Sequence, residues 1–408
     1  KIITNFFRIE FVFSKATREA FKRFLTLGRY SLYRNQSKIF DLLSKSYDSD
    51  TRFVVLSMDM DYMEAGHPAE PYLDQLDEFI LKVKIFGFYF ANMDVRQDSR
   101  KHDGLWDEMI EVELGEKELQ GYHKLSEEEK ISYLFDFDKL PKVDKVKDDF
   151  HKEMLKSFDA IQTVQKENGE DGLHRYIISN CQSALHVLEV FKLAKLSIPH
   201  IEGELPLDIV PLFETIDDLA QAPKIMEQLY KNEAYAKHLN FRKQKQSIML
   251  GFSDGTKDGG YIRANWSILL AKEELTKVSR LYDIGVIFFD GRGGPPARGG
   301  GNMHNFYASL GPQVENEEIQ ITIQGQTISS NYGKQVSCTY NLEQLLCAGI
   351  ENELYPSSEK TLTDDQRVLI NKMADVSYQF YKDFKNHPQF LPYLEHVTPL
   401  KYFGQVNI

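Results

Sequence analysis

The chain has 408 residues, 42% of them apolar, including 27 Phe and 21 Tyr. That suffices for a sizeable core and excludes disordered, collagen-like and low-complexity classes. Lys and Arg number 49 against 61 Asp and Glu, a net charge of −12. The chain therefore lacks the basic field of a non-specific nucleic-acid binder, and an anionic ligand would need a local cationic pocket.

Taken in chain order, the elements alternate. Residues 14–45 read as helix, with Phe21, Phe24, Leu25, Leu32 and Phe40 on the apolar side, and 53–58 (FVVLSM) as a short strand. Residues 71–86 carry Leu73, Leu76, Phe79, Ile80 and Val83 at spacings of three and four, the period of an amphipathic helix. Phe88–Val95 is predicted as a buried strand ending in Arg96. A long charged helical stretch follows over 100–168, with Ser126 as a helix cap and Glu129 three residues on. Further strands are predicted at Arg175–Ser179, Asp208–Phe213, Ser247–Phe252, Gly285–Phe289 and Gln320–Ile323. Helical patterns at 180–197, 216–239, 259–282 and 302–310 separate them, and the last 70 residues are mostly helical. Short apolar strands alternating with helices imply parallel strands and crossovers. The expected architecture is an α/β fold, a (β/α)8 TIM-like barrel with extensive helical insertions. Its expected parts are a helical segment over 1–70, barrel elements over 71–340 with an insertion near 100–170, and a helical segment over 341–408.

The three cysteines, Cys181, Cys338 and Cys347, form no CxxC, which argues against a disulfide scaffold and a structural zinc site. A reducing cytoplasm is the expected location. No apolar run approaches the roughly 18–20 residues of a membrane span, and Lys1–Phe13 lacks a signal-peptide core. A chain opening on Lys rather than Met is expected to be a piece of a longer polypeptide.

In a barrel of this kind, catalytic groups sit at the C-terminal ends of strands. Arg96, Glu214, Asp254, Lys257, Arg292 and Arg298 each follow a predicted strand. Two carboxylates and four cations at one mouth would suit a divalent metal and a multiply charged anion. The segment Asp290–Asn302, DGRGGPPARGGGN, combines six glycines with two arginines. Glycine lets a ligand approach the main chain, and arginine offers bidentate bonds to phosphate or carboxylate. The alternative is an ordinary loop with solvated arginines. GFSDGTKDGG (251–260) is a second Gly/Asp-rich turn, but it lacks the closing Glu of a calcium loop and the spacing of a P-loop. Glu214 and Asp254 would suit Mg²⁺ or Mn²⁺, and Asp254 as a plain turn residue is the competing reading. No HExxH, close His cluster or GxSxG is present, and His186, on an apolar helical face, reads as packed core.

Four blocks, in order, resemble phosphoenolpyruvate carboxylase: MDVRQDSRKH (93–102), LDIVPLFETIDDL (207–219) and the two glycine segments. The resemblance runs from about residue 75 to 400. It implies carboxylation of phosphoenolpyruvate by bicarbonate through carboxyphosphate and an enolate, giving oxaloacetate and phosphate, with Mg²⁺ or Mn²⁺. By matching position, it implies Glu214 and Asp254 as metal ligands and Arg96 and Arg292 as phosphate clamps. Arg298 would close over the anion, and Lys257 would line the site. Leu212 and Met249 would shelter CO₂. Cytoplasmic homotetramers without nucleic-acid or membrane partners are the family expectation.

This chain departs from the family pattern in places. Asp290 stands where the family usually has His, so it is expected either to pair with Arg292, to add a metal ligand, or to impair the chemistry. TIQGQ (322–326) puts Ile323 and Gln326 where carboxylates are usual. The family's Ala-His-Pro-Thr block is missing, since AGHPAEP (65–71) lies too close to Arg96, and the Gly-Ser-Arg-Pro block is not reached. The chain thus reads as a central fragment, a partial barrel expected to turn over poorly alone. A degenerate member serving as anion-binding or assembly subunit, and another phosphoenolpyruvate- or pyruvate-using barrel, are the competing readings.

Overall fold

A computed structural model describes residues 81–82, 85–87, 89–199, 204–293, 301–323, 325–354, 361–399 and 402. The helix expected at 14–45, the strand at 53–58, most of the helix at 71–86, the AGHPAEP segment and Arg298 lie outside the described residues.

The chain divides into two units. In the first, β1 (Asp94–Asp98) begins and α4 (Asp149–Asn168) runs from an Asp148 cap to Gly169. Phe158 of α4 stacks on Tyr176 at 5.5 Å, and Arg175 bonds Asp94 at 2.6 Å.

The second unit holds the rest of β1 and the helices α1 (Ser99–Leu114), α2 (Glu116–Tyr122) and α3 (Glu127–Asp136). The end of β2 (Arg175–Ser179) leads to α5 (Ala184–Ser197). β3 (Asp208–Phe213) leads to α6 (Ile216–Lys231) and α7 (Glu233–Phe241), and β4 (Lys245–Leu250) to α8 (Phe252–Gly259) and α9 (Tyr261–Leu281). β5 (Gly285–Gly293) precedes α10 (Met303–Ser309), and β6 (Ile319–Ile323) precedes α11 (Gly325–Tyr332). Then come α12 (Gln335–Leu354), α13 (Asp364–Lys385) and α14 (Phe390–Val397).

The six strands are parallel neighbours in sequence order, β1 to β6, the order of staves in a partial TIM-like barrel. Register places Leu212 opposite Met249 and Leu250 opposite Asp290. Ile177, Val210, Leu212, Met249 and Phe289 join into one buried apolar cluster. Burial on both faces of β2 to β5 is why these four read as apolar runs rather than alternating ones.

Several expected boundaries are corrected. The strand expected at Phe88–Val95 is cut back, because Gly87 and Phe90 both take positive φ (48° and 62°) and turn the chain, so β1 starts only at Asp94 and contains Arg96. The aromatics that suggested a strand partly pack within the turn, Phe86 stacking on Phe90 at 5.5 Å. The 100–168 stretch is several helices, interrupted first at Gly115 (φ 93°). GFSDGTKDGG is mostly the helix α8 rather than a turn. The strand predicted at Gly285–Phe289 continues to Gly293. The Ser126–Glu129 capping box forms as expected. Among the described residues no helix is long and apolar enough to cross a membrane.

Candidate active site

The C-terminal ends of the strands gather the acidic and guanidinium groups. Glu214 is the first residue after β3. Arg96 Nη2 donates to its Oε1 at 2.8 Å, and the Asn180 main-chain N–H, just past β2, donates to its Oε2 at 3.0 Å. Asn180 can aim this N–H because it takes the left-handed conformation (φ 54°) that asparagine tolerates. Ser99 Oγ fixes it further, donating to the Asn180 carbonyl at 2.8 Å. Burial pushes the Glu214 carboxyl up; the Asn180 bond and Arg96 oppose this, and the charges of Asp254 and Asp218 add to it. Two carboxylates, Glu214 and Asp254, thus feel each other across adjacent strand ends.

That approach depends on Gly251 at the β4–α8 junction. A Cβ there would lie 3.1 Å from Glu214 Cα and 3.2 Å from its Cγ. Asp254 sits in the first turn of α8, where its Oδ1 accepts from Lys257 Nζ at 2.8 Å across one helical turn.

Arg292 and Asp290 both lie within β5. The Arg292 guanidinium is held against rings, 3.9 Å from the Phe306 centroid and 5.6 Å from that of Phe252, and burial draws its pKa down. Gly301, at φ 136°, comes close: a Cβ there would stand 3.6 Å from Arg292 Nη2. Asp290 is wholly buried. Its Oδ2 accepts from Lys272 Nζ and from Tyr307 Oη, each at 2.7 Å, so the pairing expected with Arg292 is made with Lys272 and Tyr307 instead.

The structure therefore brings Arg96, Glu214, Asp254 and Lys257 together and sets Arg292 at the end of the next strand. Leu212 and Met249 lie opposite each other in the apolar cluster. Ile323 closes β6, and the Gln326 side chain lies outside the described residues. His186, expected as packed core, is part-buried, its Nδ1 accepting from the Gln182 N–H at 3.2 Å and its Nε2 lying 3.9 Å from Asp103 Oδ1. Sequence reading missed Asn180, Lys272, Phe306 and Tyr307. Asn180 directly after a strand carried a signal for a left-handed turn; Lys272 looks like any lysine of an amphipathic helix.

Among the described residues no three of His, Cys, Asp and Glu group as a metal site, and Asp218, the other carboxylate felt by Glu214, is engaged by the Glu214 and Thr215 N–H groups. Two carboxylates fit Mg²⁺ or Mn²⁺, which take remaining ligands from water and substrate oxygens.

Parallel strands in barrel order, with carboxylates and guanidinium groups at their C-terminal ends, define an α/β protein of the partial TIM-barrel type. Residues 42–408 match the family model described as phosphoenolpyruvate carboxylase, and the chain belongs to that family. It is 31% identical over 341 residues to the phosphoenolpyruvate carboxylase of Gloeobacter violaceus, covering 82% of this chain and 36% of that protein. It is 32% identical over 348 residues to that of Prochlorococcus marinus strain MIT 9301, covering 82% of this chain and 35% of the relative. The chain thus spans about a third of the length of the curated relatives it matches.

Proposed function

We propose that this chain supplies the metal-binding and much of the phosphate-binding part of a site that carboxylates phosphoenolpyruvate with bicarbonate, yielding oxaloacetate and phosphate. The observation that carries the reading is the meeting of Arg96, Asn180 and Asp254 around Glu214 at the strand ends. Glu214 and Asp254 would hold Mg²⁺ or Mn²⁺, which when bound supplies Lewis-acid polarisation of substrate oxygens. Arg96, already at the Glu214 carboxylate, and Arg292, over the Phe306 ring, would grip phosphoryl oxygens as charge shifts between them. Bicarbonate attacks the phosphoryl group, giving carboxyphosphate and the enolate; carboxyphosphate breaks down to CO₂ and phosphate, and the enolate carbon adds to CO₂ to give oxaloacetate. Arg298 would close over the anion, and Lys257 would balance Asp254 until substrate arrives. Leu212 and Met249 form an apolar floor that excludes the water which would protonate the enolate to pyruvate. Cytoplasmic location and assembly into tetramers of the full-length protein belong to the same proposal.

The first test is binding by the 408-residue chain. Mn²⁺ measured by paramagnetic resonance is expected to bind, and E214Q and D254N to lose at least tenfold in affinity; a wild-type chain that ignores Mn²⁺ refutes the reading. The second is a coupled oxaloacetate assay. Turnover is expected in the full-length protein and little or none in this piece, because groups that act as a unit fail together.

A second reading, an anion-binding or assembly subunit without turnover, draws on Asp290, which takes the place of the family's usual His and is locked in a buried ion pair. D290H in the full-length protein separates the two: a wild type inert with and without the substitution supports the scaffold, and brisk wild-type turnover removes it.

A further inference from the structure

Between β5, α9 and α10, three polar side chains meet out of contact with solvent. The side chains of Lys272 and Asp290 are 1% and 0% exposed. Lys272 Nζ and Tyr307 Oη both donate to Asp290 Oδ2, while Asp290 Oδ1 accepts no hydrogen bond. The Lys272 ammonium also lies among rings, 4.7 Å from the Phe288 centroid and 5.5 Å from that of Phe306. Stability alone does not call for such a pair, since apolar residues of similar volume often do as well or better.

What the triad does hold is α10. Tyr307 ties this short helix to β5, and its neighbour Phe306 presents the ring on which the Arg292 guanidinium rests at 3.9 Å. The two rings meet edge to face at 5.0 Å, so moving one moves the other. The charge arrangement points the same way. Asp290 lies two residues before Arg292 and could compete with an incoming anion for its charge. Lys272 engages the carboxylate from the α9 side, so the Asp290 charge is answered by an ammonium rather than by the guanidinium.

We infer that Lys272 and Tyr307 are positioning residues for Arg292, with Asp290 as their common anchor and Phe306 as the part that bears on the guanidinium. This rests on the reading of Arg292 as a phosphate clamp.

Two measurements on the 408-residue chain test it. One is calorimetric titration with phosphoenolpyruvate in the presence of Mn²⁺. The other, made without ligand, is the rate at which phenylglyoxal modifies Arg292, followed by mass spectrometry. Y307F removes one hydrogen bond and is expected to weaken phosphoenolpyruvate binding about three- to tenfold. F306L, which leaves the triad intact, should match it. K272Q strands a buried carboxylate and should cost tenfold or more, while K272Q/D290N, which removes both charges, should return to within about threefold of wild type. Mn²⁺ affinity should hold within about twofold throughout, because Glu214 follows β3 and Asp254 lies on α8, outside the triad. Arg292 should be modified several-fold faster in Y307F and F306L. Unchanged labelling of Arg292 in folded Y307F and F306L overturns the inference, as does a parallel loss of Mn²⁺ and phosphoenolpyruvate affinity or a double variant no better than K272Q. If the wild type binds no phosphoenolpyruvate, the functional reading fails by itself, and the labelling rates alone decide whether the triad positions Arg292.

Discussion

Glu189 sits in the middle of α5, buried among Trp106, Tyr122 and the acidic side chains of α1, and its Oε2 makes no hydrogen bond. Burial first, then the Asp103 charge and a hydrogen bond with Asp103, push its carboxyl well above the ordinary glutamate value. The folded state therefore prefers it protonated. The stability this preference contributes is complete below the unfolded pKa, near 4.5, and is lost as pH rises through the folded value. E189Q copies the protonated form and does not titrate. Its melting temperature is expected to exceed that of wild type at pH 8, with the gap closing toward pH 5; equal pH slopes would contradict the assignment. Gly251 makes the opposite case, a residue defined by the room it lacks. G251A would press a methyl into the Glu214 backbone and side chain and is expected to cost about 1–3 kcal/mol in urea unfolding. Neither residue could be singled out from the chain alone: the carboxylates at strand ends were legible as chemistry, but an interior glutamate, a buried lysine and a crowded glycine announce themselves only when neighbours are known.

The elements show why most of the sheet was readable and some helices were not. Asp208–Phe213 and Arg175–Ser179 form where predicted because continuous apolar runs bounded by polar residues have few other fates in a parallel sheet. Periodicity carries no mark of a sharp stop between two helices of similar pattern, so 216–239 resolves into α6 and α7 at Asn232, whereas 259–282 forms as the single helix α9 after Gly260 (φ 76°) ends α8. α6 also shows how a cap can serve a site. Thr215 Oγ1 accepts from the Asp218 N–H at 3.1 Å, and Asp218 Oδ2 accepts from the Thr215 N–H at 3.0 Å and the Glu214 N–H at 3.4 Å. T215A is expected to lower stability by about 1 kcal/mol. Because the same box holds the Glu214 backbone, Mn²⁺ affinity should fall with it, and an unchanged affinity would separate the cap from the site.

For the molecule as a whole, α13 reverses the usual rule that an amphipathic helix turns its apolar stripe inward. Its polar side meets the body of the second unit. Arg367 makes two 2.7 Å bonds to Glu273, Asp375 accepts from Arg263 at 2.7 Å, and Tyr381 donates to the Lys257 carbonyl at 2.9 Å. Leu369, Met373, Val376, Phe380 and Phe384, spaced three and four apart, face outward, with Phe380 74% exposed. The period was visible in the sequence but the direction was not, because directed hydrogen bonds and ion pairs, which no hydropathy pattern encodes, decide which face docks. An apolar stripe left in water favours association. The 408-residue chain is therefore expected to enhance anilinonaphthalene sulfonate fluorescence and to sediment with concentration-dependent mass. M373S/F380S should remove much of the dye signal and shift sedimentation toward the monomer. Exposed side chains contribute little to folding, so its stability should stay within about 0.5 kcal/mol of wild type. If the double variant instead unfolds, those side chains are covered by this chain's own residues; if the wild type leaves the dye dark, the stripe is not open to solvent.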